Sequence, residues 1–339
     1  MLVSVITPCR NEANFISGFV ENVFAQVLSG IEIELLVADG RSDDGTRDQL
    51  DRLADLYPRL CWLDNPIGIV STGLNLCIHK AAGMYIVRMD VHTYYQKDYI
   101  QQCVNALLST DALCVGGPWL AQGTNPRQCA IAAAFQSRIG SGGASSRLSW
   151  YSGYVDTVYL GAWRRNDLLM LGGFDEGLVR NQDDELCLRI RRKGGRIWQS
   201  SAIRSVYYPR SSLLALYRQF SQYGYWKIPV IRKYRIPASP RHLAPFFFFL
   251  FISLLLVLIP FWHFAAFVLF VALLLYLLSV FIVAISARAR LNSISLGCIT
   301  VAAVVVMHSA YAIGFARAVI DFFFLRVKPR DSMARLTRF

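Results

Sequence analysis

Apolar runs of six to eight residues alternate with segments whose apolar side chains recur at helical spacing. Residues 2–7 and 31–38 are runs of the first kind and predict buried strands. Between them, Phe15, Phe19 and Val23 recur every fourth position, which predicts a helix. A strand, a helix and a strand at this spacing predict a βαβ unit with parallel strands and a right-handed crossover.

The same alternation continues through the first third of the chain. It predicts helices near 43–56, 71–82 and 98–108, and strands at 60–63, 84–89 and 113–116. Repeated βα units of this kind build a parallel sheet with helices on both faces. The pattern therefore predicts an α/β fold with a doubly wound, Rossmann-like sheet.

Two long stretches near the C-terminus contain no Asp, Glu, Lys or Arg. The first lies between Arg241 and Arg288, and the second between Arg290 and Arg317. Because about 20 apolar residues suffice to cross a bilayer, the first stretch has room for two spans and the second for one. We expect an α/β domain at 1–226, a basic juxtamembrane segment at 227–242, a transmembrane region at 243–325 with spans near 245–261, 264–286 and 294–314, and a basic tail at 326–339.

The third apolar segment leaves two topologies open. If it spans, the basic tail lies outside, against the positive-inside rule. A re-entrant or kinked segment near His308 would instead return the tail to the cytoplasm. His308 and Arg317 are costly in lipid, so we expect both to face protein or lipid headgroups.

The positive charge follows the membrane segments. The net charge is +12, yet residues 1–226 carry 22 basic and 21 acidic side chains. The excess lies at 227–241 and in the tail, as expected of cytoplasmic flanks that face anionic lipid. We therefore expect membrane lipid as a partner and no nucleic acid.

The eight cysteines and the N-terminus point to a cytoplasmic domain. The cysteines are scattered, without a C-x-x-C pair or metal-ligand spacing, as in a reducing compartment. The first apolar run is too short for a signal peptide and is followed at once by Arg10 and Glu12. We expect a multi-pass protein of a bacterial-type inner membrane with its large domain in the cytoplasm.

Asp90 and His92 directly follow the strand predicted at 84–89. Ligands of open α/β sheets bind where strands end at their carboxyl edge. A carboxylate and an imidazole two residues apart can share a divalent cation, and Mg²⁺ or Mn²⁺ fits oxygen-rich ligands of this kind. The alternative is a turn in which Asp90 caps the next helix and His92 is surface.

The first two predicted strands end in polar loops that lack the glycine pattern of dinucleotide-binding sites. These loops are Thr7-Pro8-Cys9-Arg10-Asn11-Glu12 and Ala38-Asp39-Gly40-Arg41-Ser42-Asp43-Asp44-Gly45-Thr46. Asp39 at a strand end can accept from a ribose hydroxyl or a base N–H. Asp43, Asp44 and Thr46 are expected to be mainly structural, as helix caps.

Taken in order, these motifs resemble inverting family 2 glycosyltransferases over about residues 3–226. The set comprises P-x-x-N-E, V-A-D-G-x-S-x-D-G-T, Asp-x-His, Gly-Gly-Phe-Asp-Glu at 172–176 and Asn-Gln-Asp-Asp-Glu-Leu-Cys-Leu-Arg at 181–189. The segment from Val155 to Trp198 is most similar to succinoglycan-type membrane glucosyltransferases. The resemblance implies a GT-A-type catalytic domain.

The resemblance also implies roles for particular residues. Those expected to hold the nucleotide are Pro8, Arg10, Glu12, Asp39, Ser42 and Gly68. Asp90 and His92 take the place of the family's D-x-D metal site, with His where the family has Asp. Asp183 is expected to be the general base, with Asp184 as second choice, and Asp156 to lie at the acceptor site.

The expected chemistry is a single in-line displacement. A base must take the proton of the acceptor hydroxyl on the face opposite the leaving group. A cation must neutralise the charge that develops on the departing diphosphate. The alternative for Asp183, Asp184 and Glu185 is structural, since three acids at the start of a helix favour its dipole.

Gln222 and Trp226 have the spacing of the Q-x-x-R-W signature of processive family members, but Tyr225 replaces the arginine. This departure favours a single sugar addition over polymerisation. We expect Gln222 and Trp226 either at the acceptor site or on an amphipathic interfacial helix with aromatic anchors.

The resemblance implies transfer of a sugar, glucose by expectation, from a UDP-sugar to a polyprenyl-diphosphate-linked saccharide in exopolysaccharide synthesis. One alternative is a polyprenyl-phosphate sugar synthase, whose acceptor phosphate needs no base. Another is a membrane scaffold that binds a nucleotide sugar without turnover. UDP release in the presence of Mn²⁺ distinguishes an enzyme from such a scaffold.

Overall fold

The computed structural model describes residues 1–334 and divides into two compact units. The first, here the α/β unit, consists of Met1–Leu120 and Ser145–Tyr207. The second, here the helical unit, consists of Ala121–Ala144 and the chain from Tyr208 onward. Residues 335–339 of the expected basic tail lie outside the described residues, and the domain boundaries expected at 226 and 242 stay predictions.

The helices and strands follow one another in this order: β1 (Leu2–Cys9), α1 (Ile16–Phe24), β2 (Glu32–Asp39), α2 (Thr46–Leu56), β3 (Leu60–Asp64), α3 (Val70–Lys80), β4 (Tyr85–Arg88), β5 (Thr93–Tyr95), α4 (Tyr99–Ser109), β6 (Cys114–Gly117), β7 (Trp119–Ala121), α5 (Pro126–Gln136), β8 (Gly153–Tyr154), β9 (Tyr159–Arg164), α6 (Arg165–Leu171), α7 (Gln182–Arg192), β10 (Ile197–Gln199), β11 (Ser205–Tyr207), α8 (Leu213–Tyr234), α9 (Ala244–Leu258), α10 (Phe264–Leu291), α11 (Ile294–Val319), which continues as a π-helical turn (Ile320–Phe324), and α12 (Asp331–Ala334).

The α/β unit is built on a sheet in the order β3-β2-β1-β4-β9-β6-β10-β8. β1 is parallel to β2 and to β4, as the βαβ pattern predicted. β9 departs from that pattern, because it is antiparallel to both of its neighbours, β4 and β6. The Rossmann-like half therefore continues into a mixed half, and a second, small sheet has the order β5-β11-β7.

Both faces of the main sheet are covered by apolar layers. On one face, Val3 and Val5 of β1 belong to a buried cluster that includes Val20 of α1. On the other face, Ile6 of β1 belongs to a cluster that includes Leu74 of α3. Alternation of side chains along β1 thus supplies both layers, as in a doubly wound fold.

Helix α2 begins at Thr46, three residues later than the pattern predicted. Gly45 precedes it in the left-handed region, with a φ of 91°. Asp43 and Asp44 are not part of the helix because their carboxylates bind the loop after β1. The acidic stretch is therefore a loop-to-loop connection that leads into a helix.

The strand register brings three loops to one edge of the sheet. Cys9 at the end of β1 pairs with Asp39 at the end of β2. Ile6 of β1 pairs with Arg88 of β4, so the chain emerges from β4 toward Asp90 beside the last residues of β1. Neighbouring parallel strands lie about 4.8 Å apart, which makes these loops immediate neighbours.

The helical unit is packed around α11, which crosses α8 at two glycines. A Cβ atom added to Gly224 would lie 2.1 Å from the carbonyl oxygen of Tyr311, and one added to Gly314 would lie 1.9 Å from that of Ser221. The two backbones therefore approach as closely as only glycine permits, a contact typical of membrane helices.

His308 on α11 faces protein, as expected for an ionisable residue in an apolar segment. Its Nδ1 lies 3.2 Å from the hydroxyl of Tyr276 on α10. Its Nε2 lies 3.1 Å from the carbonyl oxygen of Ile139, in the segment after α5. Both ring nitrogens are thus bonded, and the imidazole joins three parts of the helical unit.

In the part of the chain that the structure describes, two helices are long and apolar enough to cross a membrane, judged by length and composition: Phe264–Leu291 and Ile294–Phe324. The first is mostly exposed, with 11% of its most apolar window buried, whereas 44% of the second is buried. The span expected near 245–261 corresponds to α9, which has 15 residues. At 1.5 Å per residue α9 is shorter than the hydrocarbon core of about 30 Å.

Alanine substitutions at two glycines test the close packing of Gly83, just before β4, against β1. A Cβ atom at Gly83 would lie 2.6 Å from the backbone nitrogen of Ser4, whereas one at Gly18, on the exposed face of α1, meets nothing within 4 Å. We expect Gly83→Ala to lower the free energy of unfolding by about 1–3 kcal/mol. Gly18→Ala should raise it by roughly 0.5–1 kcal/mol, because alanine favours a helix. Unfolding of the full chain in detergent measures both, and equal effects would contradict this packing.

Candidate active site

The buried strand β4 delivers Asp90 to the carboxyl edge of the sheet. Residues Tyr85–Arg88 are all buried between β1 and β9. The backbone N–H of Asp90 donates to the hydroxyl of Tyr95 at 2.6 Å, and that hydroxyl donates to the Asp90 carbonyl at 3.2 Å. The turn after β4 is therefore held by a side chain of the small sheet.

Arg88 binds both carboxylate oxygens of Asp90. Its Nε donates to Oδ1 at 3.0 Å and its Nη2 donates to Oδ2 at 3.2 Å. Burial by itself lowers the pKa of Arg88, but the negative charges of Asp90 and Asp183 outweigh it and raise the pKa above its ordinary value. Arg88 is thus a permanent cation with both carboxylates in its field.

Asp183 lies in the first turn of α7, where its Oδ1 accepts from the backbone N–H of Asp184 at 2.9 Å. The structure brings Asp183 and Asp90 into the field of one arginine although 93 residues separate them in the sequence. Asp183 is partly exposed, so its carboxylate is accessible to a ligand. Asp184 is also partly exposed, and it makes at least one hydrogen bond, ion pair or other electrostatic contact within the protein.

Glu185, the third acid of α7, has a structural role. It is fully buried and pairs with Arg189 at 2.7 Å. Arg189 also donates to the carbonyl oxygens of Leu171 at 2.5 Å and Gly173 at 2.8 Å. The pair therefore fixes the glycine turn before Phe174, and the structural alternative considered for the three acids applies to this residue.

His92 connects the turn after β4 to the loop after β1. Its Nδ1 lies 3.3 Å from Oε1 of Glu12, which is itself buried. The backbone N–H of Glu12 donates to the hydroxyl of Thr46 at 2.9 Å. The residue expected to bind metal and one expected to bind nucleotide are therefore direct neighbours.

The loops after β1 and β2 are joined by side-chain hydrogen bonds. Asn11, at a φ of 53°, donates from its backbone to Oγ of Ser42 and from its side chain to Asp43, each at 2.8 Å. Asp44 accepts from the backbone N–H of Ala13 at 3.0 Å. Asp43, Asp44 and Thr46 thus have the structural role that was expected of them.

Asp39 is fully buried at the end of β2. Its carboxylate accepts from both the backbone and the hydroxyl of Ser42, and from Nε of Arg47 at 2.5 Å. The carboxylate is thus fixed in place by two neighbours, and Ser42 lies directly against it.

Arg10 and Gly68 complete the group expected to hold a nucleotide. A Cβ atom added to Gly68, at a φ of 74°, would lie 3.2 Å from Nη1 of Arg10, and one added to Gly40 would lie 3.3 Å from the Cα of Gly68. Pro8 pairs with Ala38 in the strand register. All six residues therefore occupy adjoining segments at the same edge of the sheet.

An aromatic group next to Asp90 was missed at the sequence level. Trp119 stacks on Tyr159 with ring centroids 5.2 Å apart, and the guanidinium of Arg147 lies 3.6 Å above the Trp119 ring. Burial, followed by the charge of Asp90, raises the pKa of Tyr159 well above its ordinary value, so its hydroxyl stays neutral. These residues belong to separate strands and loops, and no sequence spacing connects them.

The donor set at Asp90 and His92 fits a divalent ion that is completed by a ligand. Within residues 1–334 there is no group of three or more His, Cys, Asp or Glu side chains that could hold a metal. Arg88 takes one lone pair on each oxygen of Asp90, which leaves the second of each available. Glu12 faces Nδ1 of His92, so Nε2 is the ring atom positioned to ligate.

The three residues expected at the acceptor site lie in different parts of the chain. Asp156 is in the loop between β8 and β9 and is partly exposed. Gln222 and Trp226 lie on α8 in the helical unit, where both side chains are buried. Their role at the acceptor site stays a prediction.

Comparison with known proteins relates this chain to glycosyltransferases and to a protein of polysaccharide biosynthesis. The model of "Glycosyl transferase family 2" matches residues 4–161. The succinoglycan biosynthesis protein ExoA of Rhizobium meliloti is 32% identical over 71% of this chain and 73% of its own length. A dolichyl N-acetyl-α-D-glucosaminyl phosphate 3-β-D-2,3-diacetamido-2,3-dideoxy-β-D-glucuronosyltransferase of Methanococcus voltae is 26% identical over 68% of this chain and 74% of its own.

A solved structure shares the fold. It is the mannosyltransferase PcManGT from Pyrobaculum calidifontis, in complex with GDP-Man and Mn²⁺, with a TM-score of 0.59. At 20% identity it covers 90% of this chain, and this chain covers 86% of it. The expected α/β fold of GT-A type is confirmed.

Glu185 and Asp183 of α7 are expected to contribute differently to the free energy of unfolding. We expect Glu185→Gln to lower the free energy of unfolding by about 3 kcal/mol, because it leaves the mostly buried guanidinium of Arg189 without its counter-charge. Asp183→Asn should cost less than about 1 kcal/mol, since a partly exposed residue loses a helix-dipole contribution and the attraction of Arg88. Thermal unfolding of both variants in detergent compares them. A larger cost for Asp183→Asn would contradict the structural role of Glu185.

Proposed function

The chain belongs to glycosyl transferase family 2, and on that premise we propose that it is a metal-dependent, inverting hexosyltransferase. The proposed reaction moves glucose from a UDP-sugar to a polyprenyl-diphosphate-linked saccharide during exopolysaccharide synthesis. The observation that carries this proposal is the carboxylate of Asp90, fixed by Arg88 at the edge of the sheet where the segments expected to hold the nucleotide meet.

The proposed donor site uses the joined loops after β1 and β2. Asp39 and Ser42 would accept from the base or ribose, and the Arg10–Gly68 contact would border the diphosphate. Because Asn11, Asp43 and Asp44 already fix these loops, little ordering would remain for the ligand to impose.

Asp90 and His92 would hold the cation, Mg²⁺ or Mn²⁺. When bound, the ion would neutralise charge on the departing diphosphate. The donor set of one carboxylate and one imidazole supports Mn²⁺ in particular, because Mn²⁺ accepts nitrogen more readily than Mg²⁺ does. The Mn²⁺ present with PcManGT agrees with this choice.

Asp183 would act as the general base. Its partly exposed carboxylate would take the proton of the acceptor hydroxyl while that oxygen attacks the anomeric carbon. The leaving nucleotide departs from the opposite face, so one displacement inverts the anomeric configuration.

The proposed acceptor is lipid-linked and the proposed location is a bacterial-type inner membrane, crossed more than once, with the catalytic domain in the cytoplasm. Two long apolar helices support membrane attachment. Similarity to a succinoglycan biosynthesis protein supports a role in polysaccharide synthesis, and the dolichyl-linked substrate in the name of the archaeal relative supports a lipid carrier. Tyr225 in place of the arginine of Q-x-x-R-W supports a single addition.

The proposal predicts distinct losses for neighbouring acids. Asp183→Asn should lower the rate of UDP release from UDP-glucose by about 10²–10⁴-fold, since it removes the base. Dissociation constants for UDP and Mn²⁺ should stay within about threefold. Asp90→Asn should instead weaken Mn²⁺ binding by roughly 10-fold or more. Both are measured on the purified protein in detergent with a short lipid-linked acceptor, with Glu176→Gln as a control outside the reacting groups.

Three outcomes decide between the proposed enzyme and its alternatives. Binding of UDP without turnover by the wild-type protein over a panel of nucleotide sugars and acceptors would indicate a scaffold. Turnover with a bare polyprenyl phosphate that survives Asp183→Asn would indicate a polyprenyl-phosphate sugar synthase. Turnover with a lipid-linked saccharide that depends on Asp183 supports the proposal.

A further inference from the structure

Arg88 is a buried charged residue without an assigned role in the proposed chemistry. It is 5% exposed, and the ring centroid of Phe174 lies 6.0 Å from its guanidinium carbon. Two of its nitrogens donate to Asp90, while Nη1 is buried and has no hydrogen-bond partner among residues 1–334. A buried arginine with an unused donor lowers the free energy of unfolding relative to an apolar residue that fills the same position.

The carboxylate of Asp90 explains why an arginine occupies this position. The side chain of Asp90 is 15% exposed, and both of its oxygens accept hydrogen bonds from Arg88. A guanidinium that donates to both oxygens of a carboxylate fixes the plane of that carboxylate. The proposed chemistry needs this carboxylate in one orientation, because it would be a metal ligand.

We propose that Arg88 is a positioning residue that orients the carboxylate of Asp90 by a two-point hydrogen bond. This inference deepens the proposed function, because it concerns a carboxylate that is proposed to hold the cation. Its first test needs no turnover, so the two can fail separately.

Stability of the metal-free protein gives the first test. Arg88→Met should lower the midpoint of thermal unfolding in EDTA, because it leaves the mostly buried carboxylate of Asp90 without its partner. Adding Asp90→Asn to Arg88→Met should raise that midpoint again, because it removes the unpaired charge. If Asp90→Asn leaves the midpoint of Arg88→Met unchanged or lowers it further, Arg88 is only a packing residue and the proposal is wrong.

Arg164 on β9 offers a matched control. Its guanidinium donates to the backbone carbonyls of Ala112 and Leu107. Arg164 is partly buried, as is Arg189. Arg164→Met should lower the midpoint, and Asp90→Asn should not restore it. Restoration in this background would show that Asp90→Asn stabilises the protein generally, which would overturn the proposal.

Kinetics give the second test. Arg88→Met should lower kcat by about 100-fold through misplacement of Asp90, while the dissociation constant for UDP alone changes less than about threefold. An unchanged kcat would overturn the positioning role. If the wild-type protein shows no turnover at all, the proposed function fails while the unfolding series still decides the role of Arg88.

A second, independent observation concerns Gln222, Tyr225 and Trp226, the α8 triplet with Q-x-x-R-W spacing. Gln222 donates to the carbonyl oxygen of Ser332 at 3.3 Å, and Trp226 donates to that of Met333 at 2.8 Å. Tyr225 is fully buried and its hydroxyl accepts from the backbone N–H of Arg330 at 3.4 Å. All three side chains therefore bind the same tail segment, residues 330–333.

The clamp is completed by an ion pair between buried Asp321 and half-exposed Arg330. Asp321, in the π-helical turn after α11, is fully buried and accepts two hydrogen bonds from Arg330, at 2.8 and 2.6 Å. The hydroxyl of Tyr225 also donates to Asp321 at 3.0 Å. A buried carboxylate is stable only when paired in this way, so the tail supplies the guanidinium that the α8 triplet lacks.

We infer that Gln222, Tyr225 and Trp226 form a clamp for the tail of this same chain. The clamp returns the chain to α8 after α11, so α8 and the tail lie on one face of the membrane. Of the two topologies that the sequence left open, this one keeps the basic tail with the basic end of α8.

Cross-linking tests the clamp. In a protein with Cys298→Ser, the pair Gln222→Cys and Ser332→Cys should form a disulfide on oxidation, detected by mass spectrometry of tryptic peptides. The control pair Arg218→Cys and Ser332→Cys, with the exposed Arg218 one turn earlier on α8, should not. Equal yields from the two pairs would overturn the clamp.

Labelling tests the shared face. Single cysteines at Arg218 and at the exposed Lys328 should react with a membrane-impermeant maleimide from the same side of sealed vesicles. Reaction from opposite sides would overturn the inferred topology.

Discussion

The buried cation Arg88 is the constraint on which the site depends. It lies at the end of a central strand, where it donates to both oxygens of Asp90 in the same turn. Burial of an unpaired charge is prohibitive, so the position of the Asp90 carboxylate is tied to that of the guanidinium. The fold around this strand end has to keep both groups in place.

The loops around this charge are ordered by their own hydrogen bonds. Asn11 and Asp43 join the loops after β1 and β2, and Glu185 with Arg189 holds the turn before Phe174. Many of the polar residues that suggest chemistry in such a sequence are thus structural. Asp90, His92 and Asp183 are the groups for which we propose a role in transfer chemistry that uses one base and one cation.

In the helical unit, polar groups are buried among apolar helices and therefore need hydrogen-bond or ion-pair partners. His308 bonds at both ring nitrogens, and Asp321 pairs with Arg330 and Tyr225. Gly224 and Gly314 allow α8 and α11 to approach at the backbone. Small residues at the crossing and complete pairing of polar groups are what a low-dielectric surrounding requires.

Periodicity and order along the chain by themselves determined the α/β class, the βαβ start of the sheet, the long apolar helices and the family. They also placed Asp90 and His92 at a strand end, because a strand followed by polar residues is a local pattern. Tertiary structure alone decided that β9 is antiparallel, that Asp43 and Asp44 join two loops, and that Asp183 of α7 contributes to the electrostatic field at Arg88. It also decided that Gln222 and Trp226 meet the tail, 110 and 107 residues away in sequence. The reason is that hydrophobic periodicity reports the environment of each position, whereas the pairing of charges and hydrogen bonds depends on which distant segments the fold brings together.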